Sequence, residues 1–364
     1  MKILHVVPTL GYGGVAKVVT NYYEQMNHSD FIFDFITHGK VEDYHHKLID
    51  DGSKIYYFKT VGSVGIKGYK KQIEDNIVLF EYSVIHLHVG HLTGLYAMLF
   101  RQLGAKKIIC HAHTTRCVNS KQAGWMFVWR YLAKRYSDYR LACGEEAGRF
   151  CFGKGNYTVL PNGISYEKMD SIGLDAIDKL KEEFKIQHDK KIIGHVSAFS
   201  PPKNPIFLSN IIHDTLKVNR NIVFVLVGDG ELKNRVAEII KENGDDKSVI
   251  FTGIRSDVYT FMKMFDVFLL PSLHEGLPVV GIEAQAAGTI CLFSDMIDRT
   301  VDIGAGIAYF LSINSGTDEW VTKLNGLTRM QKNETKSKVK KCLEDAGYDI
   351  KKNAELLISI YKSL

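Results

Sequence analysis

Short runs of residues with strand character alternate with helical stretches along this chain, and the alternation begins a second time half-way along. The strand candidates of the first half are 2–7, 31–37, 54–58, 84–88 and 107–111. Helical stretches such as 15–26 and 124–136 lie between them. Strands separated by helices form crossover connections, which build parallel sheets covered by helices. The first half therefore predicts a parallel α/β sheet.

The same pattern restarts after a turn signal at Pro161-Asn162-Gly163, which a charged segment follows. The strand candidates of the second half are 191–196, 222–227, 248–252, 267–270 and 289–293. We therefore expect two doubly wound α/β domains, residues 1–165 and 166–348. Ligands bind beyond the carboxyl ends of the strands in open parallel sheets, so we expect the active site in a cleft between the domains.

The composition is that of an ordinary globular protein of about two domains. Of its 364 residues, 45% are apolar and 24% are charged, which excludes disordered, collagen-like and disulfide-stapled classes. The six cysteines contain no C-x-x-C pair, so a zinc ribbon or thioredoxin-type site is not expected. Scattered cysteines fit a reducing compartment. No apolar run approaches the roughly 18 residues that span a bilayer, which predicts a cytoplasmic protein without a membrane anchor.

Positive charge is concentrated in the first half, which carries a net charge of +7 over residues 1–165 against −2 over the remainder. Such a surface suits phosphates, nucleic acid or an anionic membrane, or it is a solvated surface without a partner. Within this half, the segment from Lys121 to Arg135 combines Trp125 and Trp129 with basic residues. A helix of this kind can lie on an anionic membrane, and the alternative is a helix packed on the core.

The strongest functional pattern is His274-Glu275-Gly276-Leu277-Pro278, which follows the strand candidate 267–270 and leads to Glu283. A helix over 278–287 would have its proline in the first turn, where proline is favoured. Glu275 in the loop and Glu283 in the helix can then face one ligand. Backbone amides at Gly276 and Leu277 can bind an anion, and carboxylates accept hydrogen bonds from hydroxyls. The arrangement suits a phosphorylated sugar.

With strand, motif and helix in this order, the chain resembles glycosyltransferase family 4, the retaining nucleotide-sugar transferases of the GT-B fold. The resemblance runs nearly end to end, through Gly13-Gly14, the 159–164 segment, the 228–231 segment and the 251–253 segment. It is strongest for the exopolysaccharide and capsule subgroup. The segments that carry this finer resemblance are His111-Ala112-His113, 143–148, 194–196, Phe199, Lys203-Asn204 and Ser294-Asp295.

The resemblance implies roles for the second domain. Glu283 would hold the donor ribose, and Glu275 would contact donor-sugar hydroxyls. Lys203 would neutralise the diphosphate, while backbone groups near Gly253 and Ile254 would meet the base. The sequence position of Lys203 supports the same phosphate role without the resemblance, because a lysine just beyond a strand end is a point charge suited to phosphate. An ordinary solvated lysine is the alternative.

The resemblance also implies that the Gly13-Gly14 loop meets acceptor and donor phosphate, and that His113 reaches the donor sugar. The loop is not a G-x-G-x-x-G fingerprint, which argues against a nicotinamide dehydrogenase, and a plain turn is the alternative. Histidines cluster at two predicted strand ends, at positions 86, 88, 91, 111 and 113. Imidazoles bind metals, but no nearby Asp, Glu or Cys completes a set, so we expect no metal site.

One departure from the family concerns Ser197-Ala198-Phe199, where the middle residue is usually arginine. A lost charge-assisted contact removes about 2–3 kcal/mol, or about two orders of magnitude in rate. Lys203, helix amides or another arginine such as Arg255 would then stabilise the leaving group. The chain is therefore expected to be a slow enzyme, an enzyme with an altered donor site, or a catalytically degenerate partner subunit. A sugar-nucleotide epimerase fits the capsule-type segments less well.

We thus expect a metal-independent hexosyl- or N-acetylhexosaminyltransferase without a cofactor. Its donor would be a nucleotide sugar, with UDP favoured, bound by the 166–348 domain. Its acceptor would be a glycan or a polyprenyl-diphosphate-linked glycan of extracellular or capsular polysaccharide synthesis, on the 1–165 domain. The resemblance implies that a last helix, within 349–364, packs back on the first domain. We expect contact with the inner face of an anionic membrane and none with nucleic acid.

Overall fold

The structure is a computed structural model, and it describes residues 1–11, 13–39, 44–115, 124–330 and 336–364. These residues form two compact units: Met1–Gly163 together with Asp349–Leu364, here the N-terminal unit, and Ile164–Tyr348, here the C-terminal unit. The boundary between them falls at the Asn162-Gly163 turn. Tyr12 of the glycine loop and Lys121 of the basic aromatic segment lie outside the described residues.

The N-terminal unit contains a parallel sheet of seven strands in the order β3-β2-β1-β4-β5-β6-β7. The strands are β1 Lys2–Val7, β2 Ile32–Thr37, β3 Ile55–Tyr57, β4 Val84–Leu87, β5 Ile108–Ala112, β6 Tyr139–Ala142 and β7 Thr158–Val159. The helices before residue 163 are α1 Gly14–Gln25, α2 Tyr44–Asp50, α3 Val61–Asn76, α4 Thr93–Gln102, α5 Met126–Tyr136 and α6 Glu145–Phe152. The central strands are buried on both faces, which is why they read as continuous apolar runs.

The chain returns to the N-terminal unit through its C-terminal helix, Ile350–Ser363. Asp349 caps this helix by accepting a hydrogen bond from the Lys351 amide at 2.8 Å. The helix packs on α1 and buries Leu357 and Tyr361. It is therefore part of the core of this unit.

The C-terminal unit contains a parallel sheet of six strands in the order β10-β9-β8-β11-β12-β13. The strands are β8 Lys191–Val196, β9 Ile222–Val227, β10 Val249–Gly253, β11 Val267–Leu270, β12 Ile290–Ser294 and β13 Ala308–Leu311. The helices are α7 Tyr166–Asp170, α8 Leu174–Glu183, α9 Pro205–Val218, α10 Lys233–Glu242, α11 Val258–Met264, α12 Val279–Ala286, α13 Gly316–Leu327 and α14 Lys336–Asp345. The strand order reverses between β8 and β11, which makes that position the topological switch point where ligands bind in such sheets.

The predicted fold class is confirmed, because each unit is a doubly wound parallel α/β sheet. Four predicted strands have the observed bounds, and the others differ by one residue at one or both ends. The sequence analysis missed β6, β7 and β13. These lie towards one edge of each sheet, are short and are partly exposed, so their sequences lack a long apolar run.

Among the described residues, no helix is both long enough and apolar enough to cross a membrane.

Candidate active site

Two loops meet at the switch point of the C-terminal unit. The first, residues 197–204, leaves β8 and ends at Asn204, whose φ of 57° lies in the left-handed region that asparagine tolerates. The second, residues 271–278, leaves β11 and leads into α12. The sequence motifs of Lys203-Asn204 and Glu275 therefore reach the same edge of the sheet.

Hydrogen bonds join the backbones of these two loops. The amides of Leu273 and His274 donate to the carbonyl oxygen of Pro202 at 2.9 and 3.3 Å. The side-chain amide of Asn204 donates to the carbonyl oxygen of Pro271 at 3.2 Å. These three hydrogen bonds fix the two loops to each other.

Lys203 and Glu275 form an ion pair where the loops meet. Lys203 Nζ lies 2.6 Å from Glu275 Oε1 and also donates to Oε2. The hydroxyl of Ser272 donates to Glu275 Oε1 at 2.8 Å. The carboxylate is 8% exposed and the lysine side chain 23%. A cation for phosphate and an acceptor for hydroxyls are therefore held side by side at an accessible position.

Glu283 lies inside α12, which begins at Val279 and whose one other polar residue is Gln285. Only 6% of Glu283 is exposed. Glutamate is rarely buried to this degree, since a carboxylate requires polar partners away from water. Gly276 and Leu277 are half-buried and directly precede Pro278, the residue before the first turn of α12. The order of loop carboxylate, helix start and helix carboxylate is that predicted from the sequence.

The strand end that precedes Ala198 is fixed by His195, which lies in the 194–196 segment but received no role in the sequence analysis. Burial lowers the pKa of His195 to about 4, so the ring is neutral at pH 7. Its Nδ1 donates to the Leu269 carbonyl oxygen at 2.8 Å, so Nε2 accepts from the Ser197 hydroxyl at 2.7 Å. The next residue, Ala198, is exposed, and the surface where the family has arginine carries no side chain beyond a methyl group.

The two glycines of Gly228-Asp229-Gly230 are required because their backbone packs against Ser197 and Phe199. A β-carbon at Gly228 would lie 2.0 Å from the Ser197 carbonyl oxygen, and one at Gly230 would lie 2.6 Å from the Phe199 nitrogen. Both contacts are far shorter than van der Waals distance. These glycines therefore let the backbone after β9 approach the 197–204 loop.

Beyond β10, the structure places Gly253 at a φ of 70° and exposes Ile254. Arg255 does not face the ion pair as a free cation. Its guanidinium donates to Asp257 at 2.8 and 2.9 Å and to Glu183 at 2.7 and 3.2 Å. These hydrogen bonds raise the pKa of Arg255. Two carboxylates thus hold Arg255, and its part in place of the missing arginine stays a prediction.

In the N-terminal unit, five histidine rings line one layer of the sheet at its switch point between β1 and β4. They are His5 on β1, His86 and His88 on and after β4, and His111 and His113 on and after β5. His5 Nδ1 lies 3.1 Å from His88 Nε2, and His88 Nδ1 lies 2.9 Å from His113 Nε2. The hydroxyl of Tyr361, from the C-terminal helix, lies 2.7 Å from His86 Nδ1.

The predicted histidine cluster thus gains His5, which the sequence analysis missed because it sits inside an apolar strand. His91 lies in the short turn Gly90–Leu92, and it is not one of these five rings. Burial lowers the pKa of His5 to about 3 and of His113 to about 4. Burial also lowers the pKa values of His86, His88 and His111 well below the usual range. The whole cluster is therefore neutral at pH 7.

Gly13 immediately precedes α1, and Gly14 is the first residue of that helix. A β-carbon at Gly14 would meet no heavy atom within 4 Å, and Gly13 has an ordinary extended φ of −112°. Neither packing nor backbone conformation requires glycine at these positions. Their effect is to leave bare backbone at a helix start, which a ligand can approach closely.

The C-terminal unit matches the sequence model of the family described as glycosyl transferases group 1, over residues 176–341. The Bacillus subtilis protein EpsF, named as a glycosyltransferase, is 32% identical to this chain. The alignment covers 99% of this chain and 96% of EpsF. The chain belongs to the group 1 glycosyltransferases. The family-4-like resemblance seen in the sequence is thereby confirmed.

Two further relatives bear on the fold and on the family. An Escherichia coli enzyme named UDP-Gal:alpha-D-GlcNAc-diphosphoundecaprenol alpha-1,3-galactosyltransferase is 27% identical over 81% of this glycosyltransferase and 80% of its own length. The crystal structure of Anabaena HepE in complex with UDP and glucose matches with a TM-score of 0.81. That match covers both chains completely at 17% identity, and it confirms the GT-B fold.

Acid is expected to destabilise the protein between pH 6.5 and 5.5. The folded histidines stay neutral, while the unfolded ones, with pKa values near 6.5, bind protons, so stability falls as the pH drops through this window. Each buried histidine contributes roughly 1 kcal/mol to the loss. Chemical denaturation at several pH values measures it.

His5→Phe should reduce the loss of stability by roughly 1 kcal/mol, because the ring then packs against Phe33 without titrating. The exposed His188 provides the control, since His188→Gln should leave the profile unchanged. A free energy of unfolding that stays constant from pH 7 to 5.5 would contradict the neutral, buried cluster.

Proposed function

We propose that this glycosyltransferase is a retaining enzyme whose C-terminal unit binds a nucleotide sugar, with UDP as the nucleotide. The observation that carries the proposal is the Lys203–Glu275 ion pair at the switch point, with the buried Glu283 about one helical turn inside α12. Nucleotide-sugar donors carry both phosphate charge and hydroxyl groups, and this pair offers a group for each. The UDP in the HepE complex and the UDP-Gal in the name of the Escherichia coli enzyme support the same nucleotide.

In this proposal Lys203 neutralises the diphosphate, and Glu275 accepts hydrogen bonds from the sugar hydroxyls. Glu283 accepts from the ribose hydroxyls. The amides before α12, at Gly276 and Leu277, add donors for the diphosphate, since a helix N-terminus favours anions. The base would lie against the backbone of Gly253 and the exposed Ile254.

Transfer would proceed on one face of the sugar. The bond between the anomeric carbon and the diphosphate oxygen breaks while the acceptor oxygen bonds to the same carbon from the same side. The leaving phosphate takes the acceptor proton, so no separate base is required. Lys203 is already held by Glu275, which lowers the cost of positioning it at the developing charge. On this account turnover needs no divalent cation and no cofactor.

The N-terminal unit would bind the acceptor, proposed as a glycan or polyprenyl-diphosphate-linked glycan in extracellular or capsular polysaccharide synthesis. Gly13, Gly14 and His113 would face the ligands there. The names of the relatives support this kind of acceptor, because one acts on a diphosphoundecaprenol-linked sugar and another, CapH of Staphylococcus aureus, is named for capsular polysaccharide biosynthesis. The transferred group would be a hexose or an N-acetylhexosamine.

The same unit offers a surface for an anionic membrane. α5 exposes Phe127 and Tyr131, the preceding Trp125 is 58% exposed, and Lys134 and Arg135 follow in the last turn. Met126 and Ala133 of the same helix are buried, so one face packs on the core and another meets solvent. Aromatic and basic side chains on an exposed helix favour the headgroup region of anionic lipids. We infer a cytoplasmic enzyme at the inner face of the membrane.

Replacing Glu283 should weaken donor binding. Glu283→Ala removes the proposed ribose acceptor, and losing a charged hydrogen bond of about 1.5–3 kcal/mol lowers affinity by about 10- to 100-fold. Glu283→Gln keeps the side-chain volume but removes the charge, so its comparison with Glu283→Ala separates the loss of charge from the loss of packing. Calorimetric titration with UDP measures the change, with the exposed Glu242→Ala as the control. Unchanged affinity in a folded variant would mean that Glu283 is only structural.

Ala198→Arg should tighten UDP binding. Ala198 is exposed on the loop that carries Lys203, so a guanidinium there can form two hydrogen bonds to the diphosphate. We expect about tenfold higher affinity and equal or faster turnover. Asn234→Arg, on the exposed side of α10, controls for charge alone.

UDP binding by the parent chain and by Ala198→Arg also distinguishes the enzyme proposal from the partner-subunit alternative. Binding of UDP by the parent chain supports the enzyme, which the retained Lys203, Glu275 and Glu283 favour. If neither the parent nor Ala198→Arg binds any nucleotide or nucleotide sugar, the enzyme proposal fails.

A further inference from the structure

The histidine layer of the N-terminal unit places several ring nitrogens within ligand distance of one another. In two sets of three, one nitrogen from each ring lies within 4.8 Å of the others: His5, His86 and His88, and His88, His111 and His113. The sets share His88, which also links them by hydrogen bonds. The rings are stacked or tilted at centroid distances of 4.1 Å for His111 and His113 and 5.2 Å for His88 and His111.

His111 distinguishes the two sets. It is 1% exposed, and among the described residues neither of its ring nitrogens has a hydrogen-bond partner. A neutral imidazole carries one donor and one acceptor, so this ring buries two polar groups that make no protein contact. In the other set, His86 Nδ1 already bonds to the Tyr361 hydroxyl. An unpaired buried acceptor between two more imidazoles requires an explanation that packing does not supply.

We propose that His88, His111 and His113 bind one divalent transition-metal ion of the zinc class. Three imidazoles form a nitrogen-only set that suits zinc, cobalt, nickel or copper and disfavours magnesium, calcium and manganese. The ion would stabilise the layer of β1, β4 and β5. It takes no part in the proposed transfer, whose phosphate charge lies in the C-terminal unit.

The hydrogen bonds around His88 fit this role. If His88 Nδ1 binds the ion, its Nε2 carries the hydrogen and donates to His5 Nδ1, which lies 3.1 Å away. Such a partner on the second nitrogen is the usual way a metal-binding histidine is oriented. His88 Nδ1 and His113 Nε2 already face each other at 2.9 Å. Tetrahedral zinc needs its nitrogen ligands about 3.3 Å apart, so this pair would separate by a few tenths of an ångström, and the His111 nitrogen starts within 4.8 Å of both.

Protonation does not oppose binding at neutral pH, because burial keeps these imidazoles uncharged. His113 is half-buried and gives an ion access from the surface. Binding through its Nε2 leaves Nδ1–H as a donor. This nitrogen is buried and has no hydrogen-bond partner among the described residues.

The test uses the full chain without a histidine tag, stripped with a chelator, dialysed and titrated with Co²⁺ and Zn²⁺ at pH 7.5. We expect one equivalent of Co²⁺ with visible d–d absorption, its displacement by Zn²⁺, and a raised thermal midpoint with Zn²⁺. His111→Phe should lower the affinity at least about tenfold and abolish the thermal shift. The exposed His188→Gln should bind as the parent does.

Failure of the parent chain to bind either ion above the level of weak surface sites would overturn the proposal. So would full binding by His111→Phe. If that variant does not fold, X-ray absorption of the zinc-loaded parent decides, because the site predicts nitrogen ligands at about 2.0–2.1 Å with three imidazoles. Sulfur ligands, or fewer than three imidazoles, would contradict it. None of these readouts depends on nucleotide binding.

Discussion

The ion pair between Lys203 and Glu275 is the interaction on which the rest of the site depends. It joins the loops that leave β8 and β11, the two neighbouring strands at which the strand order reverses. A crevice opens at such a point because the loops on its two sides run away from each other. Here hydrogen bonds through Pro202 and Asn204 hold the loops together, and the ion pair lies at their junction. The charge that we propose for binding a donor phosphate is thus part of the framework of the loops.

Much of this site follows from the sequence, because its local parts carry local signals. The apolar strand 267–270, the Glu-Gly-Leu-Pro turn and the helix around Glu283 lie next to one another in the chain, and the structure has them in that order. The contact of Lys203 with Glu275 has no such signal. The two residues are 72 positions apart, and their meeting depends on β8 lying beside β11 although two strands, β9 and β10, separate them in the chain. Sequence periodicity predicts that strands exist, but it does not predict their order in the sheet.

In the N-terminal unit too, the strand order creates a contact that the sequence does not predict, and here it is between histidines. His5 sits in the apolar run of β1, where nothing in the sequence indicates a partner, and the register of β1 and β4 pairs it with His86. Five imidazoles that are spread over more than 100 residues of sequence therefore become one buried layer. The C-terminal helix completes the layer through Tyr361. The two switch points thus differ in character, with a charged pair in one unit and neutral rings in the other.

The central claim is that Lys203 at the switch point binds the donor diphosphate, and the comparison of UDP with uridine tests it most directly. Lys203→Met should lower UDP affinity about tenfold or more while uridine affinity changes little, because only the phosphate contact is lost. Lys191 is a matched control, since it pairs with Asp266 at the opposite end of β8, and Lys191→Met should bind UDP as the parent does. Equal UDP affinity in the parent and in a folded Lys203→Met would contradict the account.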